Sequence, residues 1–508
     1  MGECRFDRNW RMRQKLFDWP GTILRMSVAD NVDDAVASAK KVSLGVLTAM
    51  VVGSIVGAGV FVLPRRFGTE TGVLGALIAW TIAGTGMLML ALVFRFLAVR
   101  KPDLDAGIFA YAKAGFGNYV GFNAAFGYWA SACAGTVSYW VLIMSTLGAV
   151  FPSLGRGETV LAIALSSVGV WTFHLLVMRG VKEAATINRV VTIAKMVPIA
   201  VFIVVALVMF DSGTFTANFW GGAEHSVHAV FEQAKGTMLI TVFVFLGIEG
   251  ASVYSRYARK RSDVGRATVL GFVSVLAVFS LVTLVSYGAL PQAELATAAP
   301  PSMATVFVSL VGPWGAVFIK VGVIISVLGA YLAWTLMASE VMYVPATTGD
   351  MPRFLTKVNA RGTPVSALFM VTGYVQALLI VLLFVSEALD FVLDLTAALA
   401  VIPYLLAAAY AVKLTVTGET YGDGGSRRTD MLIAFLAVAY TTFLVYAAGP
   451  KHLLLSCLLY APAAGLYVVA RREHNARIFT AAEGLLFAVI ALGAVLAVVL
   501  LSTGRMSL

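Results

Sequence analysis

Gly53-Ser54-Ile55-Val56-Gly57-Ala58-Gly59 and Phe245-Leu246-Gly247-Ile248-Glu249-Gly250-Ala251 are the two stretches whose reading decides the fold. Each lies in the middle of an apolar run of the length needed to cross a bilayer, about 20 residues. Each also carries residues that a continuous membrane helix avoids. Glycine weakens a helix by about 1 kcal/mol relative to alanine, and the first stretch has three glycines in seven positions. The second holds two glycines and Glu249, a carboxylate at a depth where charge is costly and is a functional candidate by default. Gly57 and Gly247 stand 190 residues and five apolar runs apart. That recurrence is the pattern of a five-plus-five inverted repeat whose first helices are discontinuous. Taken alone, Gly53 and Gly57 form a GxxxG pair that reads as close helix packing; the second break five runs later favours paired half-helices. Unwound backbone is tolerated at membrane depth only where it lines a cavity. The two breaks are therefore expected to face each other across a polar pocket. For Glu249 a purely structural role, satisfied by neighbouring amides, stays open beside a functional one.

Working outward, composition agrees with a membrane protein. The chain has 508 residues, 59% of them hydrophobic and 13% charged, with a mean hydropathy of +0.87. Soluble domains sit near 45–50% apolar and about 25% charged, so a soluble enzyme, a disordered chain and a disulfide scaffold are excluded. Cys4, Cys133 and Cys457 are too few and too scattered for a disulfide framework or a zinc site. Thirteen apolar stretches, from Leu44–Leu63 to Phe479–Leu501, read as an all-α integral membrane protein. Lys and Arg orient it: with the N-terminus inside, inner connectors hold 29 of them and outer segments 5, a strong positive-inside asymmetry. The net charge of +10 is spread over these connectors and marks topology rather than a nucleic-acid surface. Residues 1–43 read as a cytoplasmic tail and not a cleavable signal peptide. Residues 44–230 then form the first repeat (spans 1–5), 231–413 the second (spans 6–10), and 414–508 three peripheral spans. An odd number of spans places the C-terminus outside. His225 and His228 read as surface histidines rather than a metal pair, His174 as a satisfied or interfacial histidine, and Asp390 as an interfacial acid.

The pocket has a foreseeable chemistry. A half-helix starting after Gly59 aims free N–H groups and a positive dipole end into the cavity, which suits a carboxylate. A half-helix ending near Leu246 offers free carbonyls and a negative end, which suits an ammonium. Together they match a zwitterionic α-amino acid.

Ordered motifs carry a family resemblance. Gly57-Ala58-Gly59-Val60-Phe61-Val62-Leu63-Pro64 resembles the span-1 signature of the amino acid/polyamine/organocation transporter superfamily, and Gly247-Ile248-Glu249-Gly250-Ala251-Ser252-Val253 its span-6 signature. Asn359-Ala360-Arg361-Gly362-Thr363-Pro364 resembles its loop before span 9, and Ile402-Pro403-Tyr404-Leu405 its span-10 ending. Ala110-Tyr111-Ala112-Lys113-Ala114-Gly115-Phe116-Gly117 and Arg259-Lys260-Arg261-Ser262-Asp263-Val264-Gly265 resemble the basic amino acid/polyamine antiporter branch, and within it the arginine/ornithine antiporters. The resemblance spans roughly residues 43–500. It implies exchange of cationic amino acids across a bacterial inner membrane by alternating access, with arginine and ornithine as the pair. The alternatives are another amino acid or amine (lysine, histidine or a decarboxylation product) or a sensor that keeps the fold. No enzymatic chemistry, cofactor, metal or nucleic acid is expected; the partners are small amino acids and the bilayer, and homo-oligomerisation is left open.

The resemblance also implies a site. Ala58 and Gly59 amides would meet the carboxylate, and the Ile55, Phe243 and Leu246 carbonyls the ammonium. Trp334 matches an aromatic that stacks on a guanidinium by cation–π attraction. Ser131, Ala132, Thr136 and Thr396 match positions at the side-chain end. The chain departs from the branch at Phe243, commonly Trp, and at Thr136, commonly Asn. Asp394 is unexpected and reads equally as a partner for a cationic substrate or a local structural acid. Glu249 and Lys195 are the gating or coupling candidates. Lys195 follows the pair Ile187-Asn188 and matches a lysine held to replace a cation between spans 1, 5 and 8; a proton-linked group and a static tether are both open to it.

Overall fold

The computed structural model describes residues 43–104, 107–179, 184–222, 224–249, 261–422 and 426–506. Among these residues it is helical, with no strand beyond one isolated bridge between Val358 and Pro364. Nine helices of the described residues are long and apolar enough to cross a membrane.

The first apolar run is not one helix. Helix α1 (Leu44–Ile55) stops, a single 3-10 turn covers Gly59–Phe61, and α2 (Leu63–Glu70) resumes. Pro64 lies in the first turn of α2, where a missing N–H leaves no intrahelical bond unmade. The sixth run is also interrupted. Helix α7 (Met238–Phe245) ends at Leu246, which turns out of the helix at φ −56°, ψ 137°. Gly247 follows at φ +99°, and a Cβ there would lie 2.7 Å from the Ser54 carbonyl oxygen. Glycine is required on both counts, conformation and close approach. The Ser54 hydroxyl donates to the Gly247 carbonyl at 3.4 Å, so the two breaks touch. Residues 250–260, which include Gly250, Ala251 and the first five residues of the basic run Arg256–Arg266, lie outside the described residues.

The remaining long helices are α3 (Val73–Arg100), α4 (Asn118–Gly148), α5 (Val160–Met178), α6 (Ala184–Val208), α8 (Arg261–Ser286), α9 (Trp314–Thr347), α10 (Val365–Val381), α11 (Ala388–Thr417), α12 (Arg427–Glu473) and α13 (Ala481–Ser502). Helix α4 is the axis of the bundle. Its most apolar stretch is 94% buried against α9, α10, α11 and α12, whereas that of α13 is only 6% buried. A helix this apolar and this uncovered fits a lipid-facing position. The two apolar stretches that the sequence separates at Gly449-Pro450 meet at a break within α12, where Gly449 takes a non-helical φ 69°, ψ 170°. Helix α13 opens on a capping box between Thr480 and Glu483. Glu483 also accepts from the Tyr119 amide at 2.9 Å, tying the start of α13 to the start of α4. That contact anchors the helix that forms the back wall of the pocket.

Candidate functional site

Interruption of α1–α2 leaves backbone groups unspent. The amides of Gly57, Ala58 and Gly59 find no partner among the described residues. They sit at the N-terminal end of the Gly59–Phe61 turn, where partial positive charge favours an anion. Nearby, the Ile55 and Leu246 carbonyls accept no bond from described residues. The two kinds of group share one cavity. Ile55, Ala58, Gly59, Ser131, Ala132, Phe243, Leu246, Trp334 and Thr396 all line it, together with Gly57, Gly135 and Tyr139. The cavity is narrow, about 20 Å³, room for about one water. Entry of an amino acid requires its walls to part.

Two expected residues lie elsewhere. Thr136 is fully buried and donates its hydroxyl to the Cys133 carbonyl at 2.7 Å, on its own helix. It does not line the cavity. Asp394 lies on Arg66 at 2.5 Å, and Asp390 receives two bonds from Arg65 at 2.8 and 2.9 Å and stands 3.3 Å from Arg66. Glu387 extends this cluster to Arg65 and Arg156. Asp394 is thus part of an ion-pair network that ties α2 to the first turns of α11 and does not line the cavity. Asp390 shares that network.

The side-chain end of the cavity has acceptors. Ser131 spends its hydrogen on the Thr396 carbonyl at 2.7 Å, and Thr396 spends its own on the Val392 carbonyl at 2.6 Å. A hydroxyl whose proton is committed still offers lone pairs, so both oxygens present acceptors and no donor. That favours a cationic group over an anionic one. Trp334 lines the same cavity, half-buried, with its ring 3.6 Å from the position of a Cβ on Gly247.

Gly59 also has a packing constraint that its sequence does not suggest. A Cβ there would meet Val244 Cγ1 at 2.5 Å and the Phe243 ring at 3.0 Å. Its bareness is needed for α7 to pack against the break. Gly57 has no positive φ, and a Cβ there would meet only the Tyr139 hydroxyl at 3.4 Å and the Ile55 carbonyl at 4.0 Å. Protein packing does not demand glycine at 57; the space beside it belongs to the cavity.

Both coupling candidates are fully engaged. Glu249 is buried and accepts from the hydroxyls of Tyr128 on α4 and Tyr404 on α11, the latter at 2.7 Å, and from the Gly247 amide at 3.3 Å. One carboxylate thereby joins the second break to two other helices. Lys195 on α6 donates to the Gly53 and Val56 carbonyls, both at 2.6 Å, capping the end of α1. The side chains of Ile187 and Asn188 lie outside the described residues. His174 is buried with Nδ1 2.8 Å from the Thr372 hydroxyl and Nε2 without a partner among the described residues, while His225 and His228 are exposed. Among the described residues no group of His, Cys, Asp and Glu could hold a metal ion.

Sequence reasoning missed Tyr139. A signal for it exists: Ser131, Gly135 and Tyr139 recur every fourth residue along α4, one face of a helix.

Comparison with known proteins adds the last line. Residues 43–451 match the family described as amino acid permease. An arginine/ornithine antiporter of Pseudomonas aeruginosa is 48% identical, with 93% of this chain and 99% of that protein covered. An L-lysine transport protein of Corynebacterium glutamicum is 37% identical over 93% of this chain and 98% of its own length. An arginine/agmatine antiporter of Chlamydia pneumoniae is 36% identical over 93% and 99%. With the family match covering most of the chain, and two touching helix breaks around one cavity, the protein belongs to the amino acid permease family of multi-pass membrane transporters.

Proposed function

We propose that the protein exchanges cationic amino acids across a bacterial plasma membrane by alternating access, with arginine and ornithine as the substrate pair. The observation that carries this reading is the cavity between the two breaks. Unpaired amides of Gly57, Ala58 and Gly59 form its anionic-ligand end, free carbonyls flank it, and Trp334 with the acceptor oxygens of Ser131 and Thr396 forms the far end. An α-amino acid with a cationic side chain satisfies all of these at once. The 48% identity to an arginine/ornithine antiporter supports that pair.

Movement follows from the contacts that hold the cavity shut. The arginine–aspartate network joins α2 to α11 on one side, and the Tyr128–Glu249–Tyr404 contact joins the second break to α4 and α11 on the other. Alternating access breaks one set while the other holds. In this reading residues 44–230 and 231–413 are the two inverted repeats, 414–508 are peripheral, and the N-terminal side of α1 faces the cytoplasm, as the lysine and arginine distribution supports.

Relatives named for lysine and for agmatine keep a second substrate reading in view. The deciding experiment is exchange of radiolabelled arginine in proteoliposomes loaded with ornithine, arginine, lysine, agmatine or nothing. Uptake driven by internal ornithine and absent from empty vesicles supports the proposal. Uptake driven by lysine or agmatine but not ornithine replaces the pair.

A further inference from the structure

We infer that Tyr139 is a substrate-binding and specificity-determining residue, its hydroxyl donating to the substrate carboxylate and so selecting amino acids over the matching decarboxylated amines. The inference rests on the proposed function and deepens it. Tyr139 is 5% exposed, yet its hydroxyl has no hydrogen-bond partner among the described residues. It lines the cavity and stands 3.4 Å from where a Cβ on Gly57 would be. Buried hydroxyls are usually paired, and a ligand in the cavity that Tyr139 lines would supply the partner. The neighbouring groups decide what that ligand atom is. The hydroxyl sits beside Gly57, first of three residues with unpaired amides at a helix N-terminal end, and the Ile55 carbonyl oxygen lies 4.0 Å from the same Cβ position. An oxyanion placed on those amides is within reach of a fourth donor from Tyr139. Ser131 and Thr396 offer only acceptors at the other end, so the two ends of the cavity differ in sign.

Such a donor is of no use to an amine that lacks the carboxylate. A site built around a hydrogen bond rejects a ligand that leaves the bond unmade. Tyr139 thus supplies discrimination at the backbone end of the substrate, while Trp334 acts at the side-chain end.

Tyr139→Phe keeps the ring and removes the donor. The full chain is purified in detergent, its melting temperature is recorded, and the Kd values of arginine, ornithine and agmatine are measured for it and for the wild type. The expected result is an unchanged melting temperature, a tenfold or larger rise in Kd for arginine and ornithine, and an agmatine Kd that stays constant or falls. Equal weakening of arginine and agmatine, or no weakening of arginine, overturns the inference. Should the Phe variant fail to fold, Tyr139→Leu is read by the same agmatine-to-arginine ratio, which must fall about tenfold. Failure of the proposed function is a separate outcome: wild-type protein that binds neither arginine nor ornithine overturns that reading before any variant is compared.

Discussion

Adding one methyl group at Gly57 and one at Gly59 tests the two halves of the site separately. At Gly57 the backbone is compatible with alanine, and the new Cβ meets only the Tyr139 hydroxyl at 3.4 Å and the Ile55 carbonyl at 4.0 Å. Replacing glycine by alanine at a compatible position stabilises a fold by about 0.4–1 kcal/mol through the unfolded chain. Gly57→Ala should therefore melt at or slightly above the wild-type temperature. The same methyl points into the cavity beside the three unpaired amides and displaces whatever lies on them. A hydrogen bond to a charged group contributes about 1.5–3 kcal/mol. Loss of one such bond, at 1.4 kcal/mol per decade, weakens arginine binding roughly tenfold to a hundredfold. Gly59→Ala behaves otherwise. Its Cβ would stand 2.5 Å from Val244 and 3.0 Å from Phe243, and overpacking of this kind costs about 1–3 kcal/mol. Here stability and binding should fall together. The assay is a thermal melt and an arginine Kd on each purified variant. Wild-type affinity in Gly57→Ala refutes the placement of the carboxylate on these amides.

Three further perturbations follow. Trp334→Leu keeps apolar bulk and removes the π face; a desolvated cation–π contact is worth about 2 kcal/mol or more, so competition by arginine and ornithine should weaken tenfold or more while leucine changes little, and equal losses mean that Trp334 supplies shape alone. Glu249→Ala leaves the Tyr128 and Tyr404 hydroxyls without their shared acceptor; proteoliposome exchange should fall further than equilibrium arginine binding, and lost binding with surviving exchange at saturating substrate contradicts a gating role. Lys195→Met strips the ammonium from the Gly53 and Val56 carbonyls; each buried group left unpaired costs about 1–3 kcal/mol, so the melting temperature should drop by several degrees, and an unchanged melt contradicts a tether role.

Some of this was legible in the sequence, for physical reasons. Glycines and a carboxylate inside apolar runs have few explanations in a membrane, so Gly247 and Glu249 announced the second break, and Gly247 proves to need both its positive φ and its bare Cα. Nine of the residues that the family pattern pointed to line the one cavity. What stayed hidden depends on where side chains point around a helix. Thr136 turns its hydroxyl back to Cys133, which no spacing rule reveals for a residue in a helix buried on nearly all sides. Tyr139 carries no mark in the sequence, because aromatic residues in apolar helices are usually core; its place on the cavity wall beside Gly57 sets it apart. Asp390 and Asp394 share a helix face, but their partners Arg65 and Arg66 are more than 300 residues away in the chain. Gly59 lines the cavity as expected, and only the structure shows that a Cβ there would also meet Val244 and Phe243.

The most direct test of the central claim is a structure of the full chain in a lipid nanodisc with arginine bound. The account places the carboxylate within hydrogen-bond distance of the Gly57–Gly59 amides and the Tyr139 hydroxyl, with the guanidinium against the Trp334 ring and near the oxygens of Ser131 and Thr396. Arginine found instead with its guanidinium on Asp390 and Asp394, displacing Arg65 and Arg66, would contradict it.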